Sequence, residues 1–277
     1  MQNHNHKLPQ MMYGTAWKED RTKELTLMAI KAGFKAIDTA NQRKHYHEAL
    51  VGEAVLQACQ ENLTTRENLF LQTKFTFLAG QDQRLPYDKN ADTPTQVNQS
   101  FAKSLVHLNT DYLDSFVLHG PSTRYGLAQE DWDAWKTMTE LYYAKKTKHL
   151  GISNVSADQL TLLLDKAEVK PDFVQNRCYA RLGWDKEIRK ICKVQNIVYQ
   201  GFSLLTANIH ELNQPIIHGM AQKYDCHIPQ IVFRFAQQIG MLPLTGTSSY
   251  EHMLQDLACD RFDLSQEELL AIENLSA

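Results

Sequence analysis

Short β-rich apolar runs alternate with helical patterns eight times along this chain, and no other feature narrows its fold as far. Runs at 11–16, 35–39, 69–75, 113–119, 150–153, 173–175, 197–202 and 241–244 read as strands. Between the first two, Leu25, Met28, Ala29 and Ala32 recur at helical spacing over 21–32, and Gly33 closes the helix as its C-cap. Further helices are predicted at 48–60, 93–108, 131–143, 156–166, 185–195 and 229–238. Pro94 in a first turn and Ser156 as an N-cap mark two of the starts. Strand–helix alternation implies parallel strands. Eight such units in 277 residues, with no composition break, predict an α/β chain folded as a (β/α)8 TIM barrel. Residues 1–277 read as a single domain, with an added helical segment after about residue 248. A doubly wound sheet is the runner-up. It needs a glycine-rich turn after a strand, and no GxGxxG or Walker-type loop occurs.

Composition closes off several functions. A net charge of -3 gives no reason to expect nucleic acid or an anionic membrane as partner. The run Lys145-Lys146-Thr147-Lys148 reads as a solvated helix end. No apolar stretch is long enough to span a membrane, and residues 1–7 lack the apolar core of a signal peptide. Five scattered cysteines without a CxxC read as reduced thiols, and with them the expected location is cytoplasmic. His4, His6, His45 and His47 lie in polar segments without nearby cysteines, so no metal is expected.

In a barrel of this kind the strand ends carry the chemistry. Strand 1 ends at Gly14-Thr15-Ala16-Trp17, strand 2 at Asp38, strand 3 at Lys74 and strand 4 at His119. Strands 5, 6 and 7 end at Ser153-Asn154, Gln175-Asn176 and Phe202-Ser203. A charge at the end of an apolar strand is costly unless paired, and Asp38 with Lys74 is the natural pair. Singly, each residue has a plain structural use: Asp38 as a helix cap, Lys74 in an ion pair, His119 as a satisfied polar group. An acid, a lysine and a histidine at one mouth point instead to catalysis.

With these residues in place, the chain resembles the aldo-keto reductase family over nearly its whole length. The motifs are "IDTA" (37–40) with Tyr46 and "EALVGEA" (48–54), "LQTKF" (71–75), "DSFVLHGP" (114–121), "LGISN" (150–154), "FVQN" (173–176) and "PLTGTSS" (243–249). The resemblance implies a catalytic tetrad of Asp38, Tyr46, Lys74 and His119. The family tyrosine usually follows the acid by five residues. Arg43 stands at that position, and a longer loop delivers Tyr46 eight residues after Asp38. The implied reaction is reduction of an aldehyde or ketone by NAD(P)H, with Tyr46 as proton donor. Lys74 is expected to lower the tyrosine's pKa, Asp38 to hold Lys74, and His119 to hydrogen-bond the carbonyl oxygen.

The same resemblance implies a nucleotide site. Ser153, Asn154 and Gln175 are expected at the nicotinamide carboxamide, and Phe202 against the nicotinamide face, where core packing is its alternative use. Ser203 and Leu205 are expected along the pyrophosphate, with Thr15, Asp38 and Asp256 also in the cofactor site. At the 2′-phosphate the pattern departs. Many members carry a lysine there and an arginine six residues later; here those places hold Gly246 and His252, with Thr247 beside them. Histidine lacks the two-pronged grip of arginine. NADP(H) is favoured, with NAD(H) or dual use as the alternative.

Trp17 and Phe75, beside Tyr46 and His119, are expected to line the substrate mouth. The long stretch 78–94 reads either as a cover or as a surface loop. The expected partner is a small carbonyl compound, and the expected assembly a monomer or small homo-oligomer. Two rival functions remain: a nucleotide-binding regulatory or interaction subunit with little turnover, and a lyase or isomerase using Lys74 as a Schiff-base amine.

Overall fold

The computed structural model describes residues 8–275, and in it eight parallel strands close into a barrel in sequential order. The strands are β1 (Met12–Gly14), β2 (Ala36–Asp38), β3 (Phe70–Phe75), β4 (Leu113–Leu118), β5 (Thr147–Ser153), β6 (Phe173–Arg177), β7 (Val198–Phe202) and β8 (Met241–Thr245). The barrel is the predicted one. Its helices are α1 (Thr22–Ala32), α2 (Glu48–Gln60), α3 (Thr93–His107), α4 (Gln129–Tyr143), α5 (Ala157–Lys166), α6 (Lys186–Gln195), α7 (Ile209–Leu212), α8 (Pro215–Lys223), α9 (Ile228–Gln238), α10 (Tyr250–Leu257) and α11 (Gln266–Glu273). Two of these, α7 and α8, fall in a stretch without a strong helical pattern. α10 and α11 form the added C-terminal segment.

Local chemistry explains the punctuation. Gly33 ends α1 at φ 114°, a conformation that other residues rarely adopt. Ser156 and Gln159 cap α5 reciprocally, each side chain meeting the other's backbone N–H. The basic run divides: Lys145 and Lys146 are exposed and close α4 with N–H bonds to Tyr142 O and Leu141 O, whereas Thr147 and Lys148 open β5, and Lys148 reaches the buried Asp114 at 2.8 Å. A paired cation is tolerated at a strand start, so the first half of the run is the expected helix end and the second half is not.

The main core lies between the outward faces of the strands and the helices, where Leu71, Phe116, Ile152, Val174 and Tyr199 are buried. A second cluster of Met12, Ala36, Leu242 and Leu244 fills the barrel interior, with Phe70 and Val198 against it. Above it the interior turns polar. Gln72 and Gln175 each hydrogen-bond Gln200 at 2.8–3.0 Å, and both also donate to Asp38. Branched apolar side chains are usual in such layers.

The "EALVGEA" stretch fixes the loop between β2 and α2. Glu48 is buried, accepts from Thr73 Oγ1 and meets His107 Nδ1 at 2.8 Å. A Cβ on Gly52 would lie 1.9 Å from the carbonyl oxygen of His107, so only glycine lets α2 approach the end of α3 this closely. α2 is thereby tied to β3 and α3, and the loop carrying Tyr46 ends at a fixed point.

Candidate active site

One cavity of about 1260 Å³ opens at the C-terminal ends of the strands, and Asp38, Tyr46 and His119 line it. Lys74 lies beneath, wholly buried. Its ammonium donates to both oxygens of Asp38 at 2.7 Å and to the carbonyl of Thr39 at 2.8 Å. All three of its protons are therefore used. Burial lowers the Lys74 pKa, against the raising effect of Asp38.

The longer loop does bring Tyr46 to the other three. Its ring meets His119 edge-on at 5.9 Å, and Lys74 Nζ sits 5.2 Å from its centroid. The loop is pinned along its length. Tyr46 N–H donates to Gln42 O at 3.0 Å, Gln42 Nε2 to Gly80 O at 2.6 Å and Trp17 N–H to His45 O at 2.8 Å. Asn41 Nδ2 donates to Ser100 O, and Arg84 to the carbonyl of Arg43. Among the described residues the Tyr46 hydroxyl makes no hydrogen bond to protein, so its proton is free for a ligand in the cavity. The expected pKa effect is reversed. Burial, and after it the negative charge of Asp38, raises the tyrosine's pKa.

His119 is held neutral. Burial, then Lys74 and His45, push its pKa well below the ordinary value. Its Nδ1 meets Thr76 Oγ1 at 2.7 Å. With the hydroxyl donating to Nδ1, the ring's one proton sits on Nε2 as a donor. Thr76 is itself fixed: its carbonyl accepts from Tyr87 OH at 2.8 Å and Gln81 Nε2 at 3.3 Å. Thr76 lines the cavity and was missed in the sequence, although period-two alternation puts Gln72, Lys74 and Thr76 on one face of β3 and its extension.

That alternation also corrects the placement of Phe75. It is fully buried in the outer core against Phe77 and Tyr87 and is absent from the cavity wall, which Phe77 supplies instead. Thr15 is likewise off the cavity: it is buried, and its hydroxyl donates to the backbone carbonyl of Asp38 at 2.9 Å. Trp17 is 67% exposed at the mouth, with its ring 4.1 Å from that of His45. The stretch 78–94 contributes Ala79 and Gly80 to the wall, so it is part of the site.

Ser153, Asn154, Gln175, Phe202, Ser203, Leu205, Gly246, Thr247, His252 and Asp256 all line the same cavity. The donor set fits a nicotinamide carboxamide. Ser153 Oγ donates to Gln175 O at 2.6 Å, and Asn154 Nδ2 donates to His119 O at 2.8 Å. Gln175 Nε2 is taken by Asp38 and Gln200. The amide oxygens of Asn154 and Gln175 are left as acceptors for an NH2 group. The Phe202 ring, with Arg177 5.7 Å from its centroid, offers a stacking face. Asn154 and Ser203 hold φ near +52° and +57°, values reserved for close turns at strand ends. At the far end, Thr245 Oγ1 donates to Asp256 at 2.7 Å, and burial raises the Asp256 pKa to about 6. His4 and His6 lie outside the described residues; among those described, no group of three or more His, Cys, Asp or Glu could hold a metal. No helix there is long and apolar enough to cross a membrane.

Known proteins share this arrangement of sequence and fold. In sequence, the chain is 29% identical to the uncharacterized oxidoreductase YtbE of Bacillus subtilis over 90% of its length and 81% of the relative's. It is also 29% identical to a glyoxal reductase of the same organism, with the same coverage. In fold, it matches an aldo/keto reductase from Brucella melitensis with a TM-score of 0.82 at 23% identity, covering 99% of this chain and 97% of that one. A Bombyx mori aldo-keto reductase in complex with NADP matches with a TM-score of 0.81 at 22% identity, covering 99% and 91%. The sequence profile described as the Aldo/keto reductase family matches residues 10–277. The chain belongs to the aldo/keto reductase family, oxidoreductases that move hydride between a nicotinamide nucleotide and a carbonyl or alcohol carbon.

Proposed function

We propose that this protein reduces a small aldehyde or ketone to the alcohol, with Tyr46 as the proton donor. The observation that carries this reading is the unpartnered Tyr46 hydroxyl beside a neutral His119, above a saturated Asp38–Lys74 pair. A bound reduced nicotinamide supplies the hydride. As negative charge grows on the carbonyl oxygen, His119 Nε2–H stabilises it and Tyr46 O–H transfers its proton to it. The raised Tyr46 pKa does not block this step, since the alkoxide is the stronger base. It does disfavour the reverse step, in which Tyr46 must act as a phenolate base. Asp38 and Lys74 act as a charged floor that fixes the Tyr46 ring from below.

NADP(H) is the proposed cofactor, with support from the Bombyx mori relative in complex with NADP. Gly246 and His252 leave NAD(H) or dual use as the alternative. The chain is proposed to work as one domain in the cytoplasm, as a monomer or small homo-oligomer. The Schiff-base reading loses ground because Lys74 is wholly buried and its three protons are all donated. The test is loss of the reduced-nicotinamide absorbance when purified protein meets an aromatic aldehyde, with NADPH and NADH in parallel. Turnover with either supports the reductase. Tight nucleotide binding without turnover shifts the assignment to a nucleotide-binding subunit.

A further inference from the structure

Two buried glutamines, Gln42 and Gln81, tie the loop that carries Tyr46 to the turn that follows β3. Gln42 works in both directions. Its backbone carbonyl accepts from the N–H groups of His45 at 3.2 Å and Tyr46 at 3.0 Å, which closes a turn ahead of the tyrosine. Its side chain runs the other way, and Nε2 donates to Gly80 O at 2.6 Å. Gln81 adds a second strut one residue along, with Nε2 donating to Asn41 O at 3.0 Å and to Thr76 O at 3.3 Å. A carbonyl can only accept, so each amide must turn its NH2 toward the backbone. For Gln42 this leaves Oε1 buried with no hydrogen-bond partner among the described residues. An orphaned buried acceptor costs stability, so the bond to Gly80 is kept at the expense of the fold.

Gly80 lies between the Tyr46 loop and the support of His119. Its N–H closes the turn on Phe77 O at 2.9 Å. A Cβ at this position would stand 2.7 Å from Thr76 Cγ2 and 3.5 Å from Gln42 Nε2, so the glycine is wedged between those two side chains. Thr76 in turn holds the His119 ring, Oγ1 to Nδ1 at 2.7 Å. A continuous path therefore runs from Tyr46 through Gln42, Gly80 and Thr76 to His119. Each link is a hydrogen bond or a close approach. Tyr46 stands eight residues beyond Asp38, and a loop of that length does not fix its own geometry. The struts at Asn41 and Gln42 fix it against the same turn that packs on Thr76.

We propose that Gln42 is a positioning residue for carbonyl reduction: through Gly80 it sets the separation between the Tyr46 hydroxyl and His119 Nε2, so that both donors converge on one oxygen. The proposal rests on the reading of Tyr46 as the proton donor. Gln42 acts through Tyr46 and Thr76, and the brace compensates for the longer loop. A misplacement of about 1 Å can cost about a hundredfold in rate, so loss of one strut registers in turnover.

Steady-state aldehyde reduction by Gln42→Met, Tyr46→Phe and the double variant tests it, with NADPH binding measured on the same samples. Methionine keeps the length of the side chain and loses the donor. In the wild-type background Gln42→Met is expected to lower kcat about tenfold with NADPH affinity unchanged. In the Tyr46→Phe background the same change is expected to cost less than about threefold, because the group it positions is gone. Equal losses in both backgrounds, or no loss in the first, would overturn the proposal, since an effect on packing alone adds to the loss of the hydroxyl. Gln42→Glu decides the matter if Gln42→Met does not fold. Its carboxyl can donate to Gly80 O only when protonated, so its kcat relative to wild type at the same pH is expected to be highest in acid and to fall as pH rises. A ratio that does not vary with pH would overturn the proposal. Unchanged turnover in Tyr46→Phe would remove the proton-donor reading, and the Gln42 inference with it. A large loss in Tyr46→Phe with additive Gln42→Met would remove the inference alone.

Discussion

At the floor of the cavity Asp38 accepts from Lys74, Gln72 and Gln175, and those glutamines bond in turn to Gln200. At the β8–α10 end Gly246, Ser248, Glu251 and His252 are exposed, and Lys18 makes a single hydrogen bond. The floor is a closed polar network in a dry interior, where an unpaired group costs most and a fixed one performs best. The β8–α10 end is open, and single charges there act on a bound ligand through a solvent-screened field. Side-chain changes at the floor should therefore alter rate and stability together. Changes of the exposed side chains at the open end should alter nucleotide choice and leave the fold alone.

The largest contrast is expected from Lys74→Met. It leaves Asp38 buried without its counter-charge, at a cost of about 3–5 kcal/mol. Turnover should fall about a thousandfold, and the urea midpoint should fall with it. A variant as stable as wild type would break the claim that the floor is one network. Next is Thr76→Val, which removes the hydroxyl that fixes the His119 ring. We expect kcat to fall roughly tenfold with nucleotide affinity unchanged, and Thr76→Ser to restore it. Equal losses in Thr76→Val and Thr76→Ser would assign the effect to packing.

At the open end, His252→Arg should tighten NADPH by a few-fold to about tenfold and leave NADH nearly unchanged. Equal tightening of both would place position 252 away from the 2′-phosphate. The smallest effect concerns Asp256. Its folded pKa of about 6 lies above its ordinary value of 3.8, so the folded state holds its proton more tightly than the unfolded state. That contribution to stability is full below the ordinary value and is lost as pH rises through about 6. Asp256→Asn should raise the melting temperature by roughly 3 °C at neutral pH and change it less in acid. His119 has the opposite sign. Its lowered pKa means that stability is lost as pH falls below the ordinary histidine value.

Most of the barrel was legible in the chain because strand and helix periods alternate cleanly, and the charged strand ends stand out against apolar runs. The alternation that turns Gln72, Lys74 and Thr76 inward turns Phe75 outward into the core, against its expected place at the mouth. Gln72 and Gln200 carry no local sign of their contact, since it joins residues 128 apart in sequence. Lys18 and Gly246 are 228 apart, and only barrel closure makes them neighbours. Tyr46 was readable as the tyrosine of the site, but the sign of its pKa shift was not. That sign depends on how deeply the ring is buried and on the charge of Asp38 beside it, which only the closed barrel sets.

In the proposed reaction Tyr46 gives up its proton to the carbonyl oxygen. That transfer is tested most directly by comparing wild type with Tyr46→Phe in aldehyde reduction and, on the same samples, in NADPH binding. Turnover is expected to fall about a hundredfold or more with nucleotide affinity retained. Unchanged turnover in Tyr46→Phe would show that another group supplies the proton.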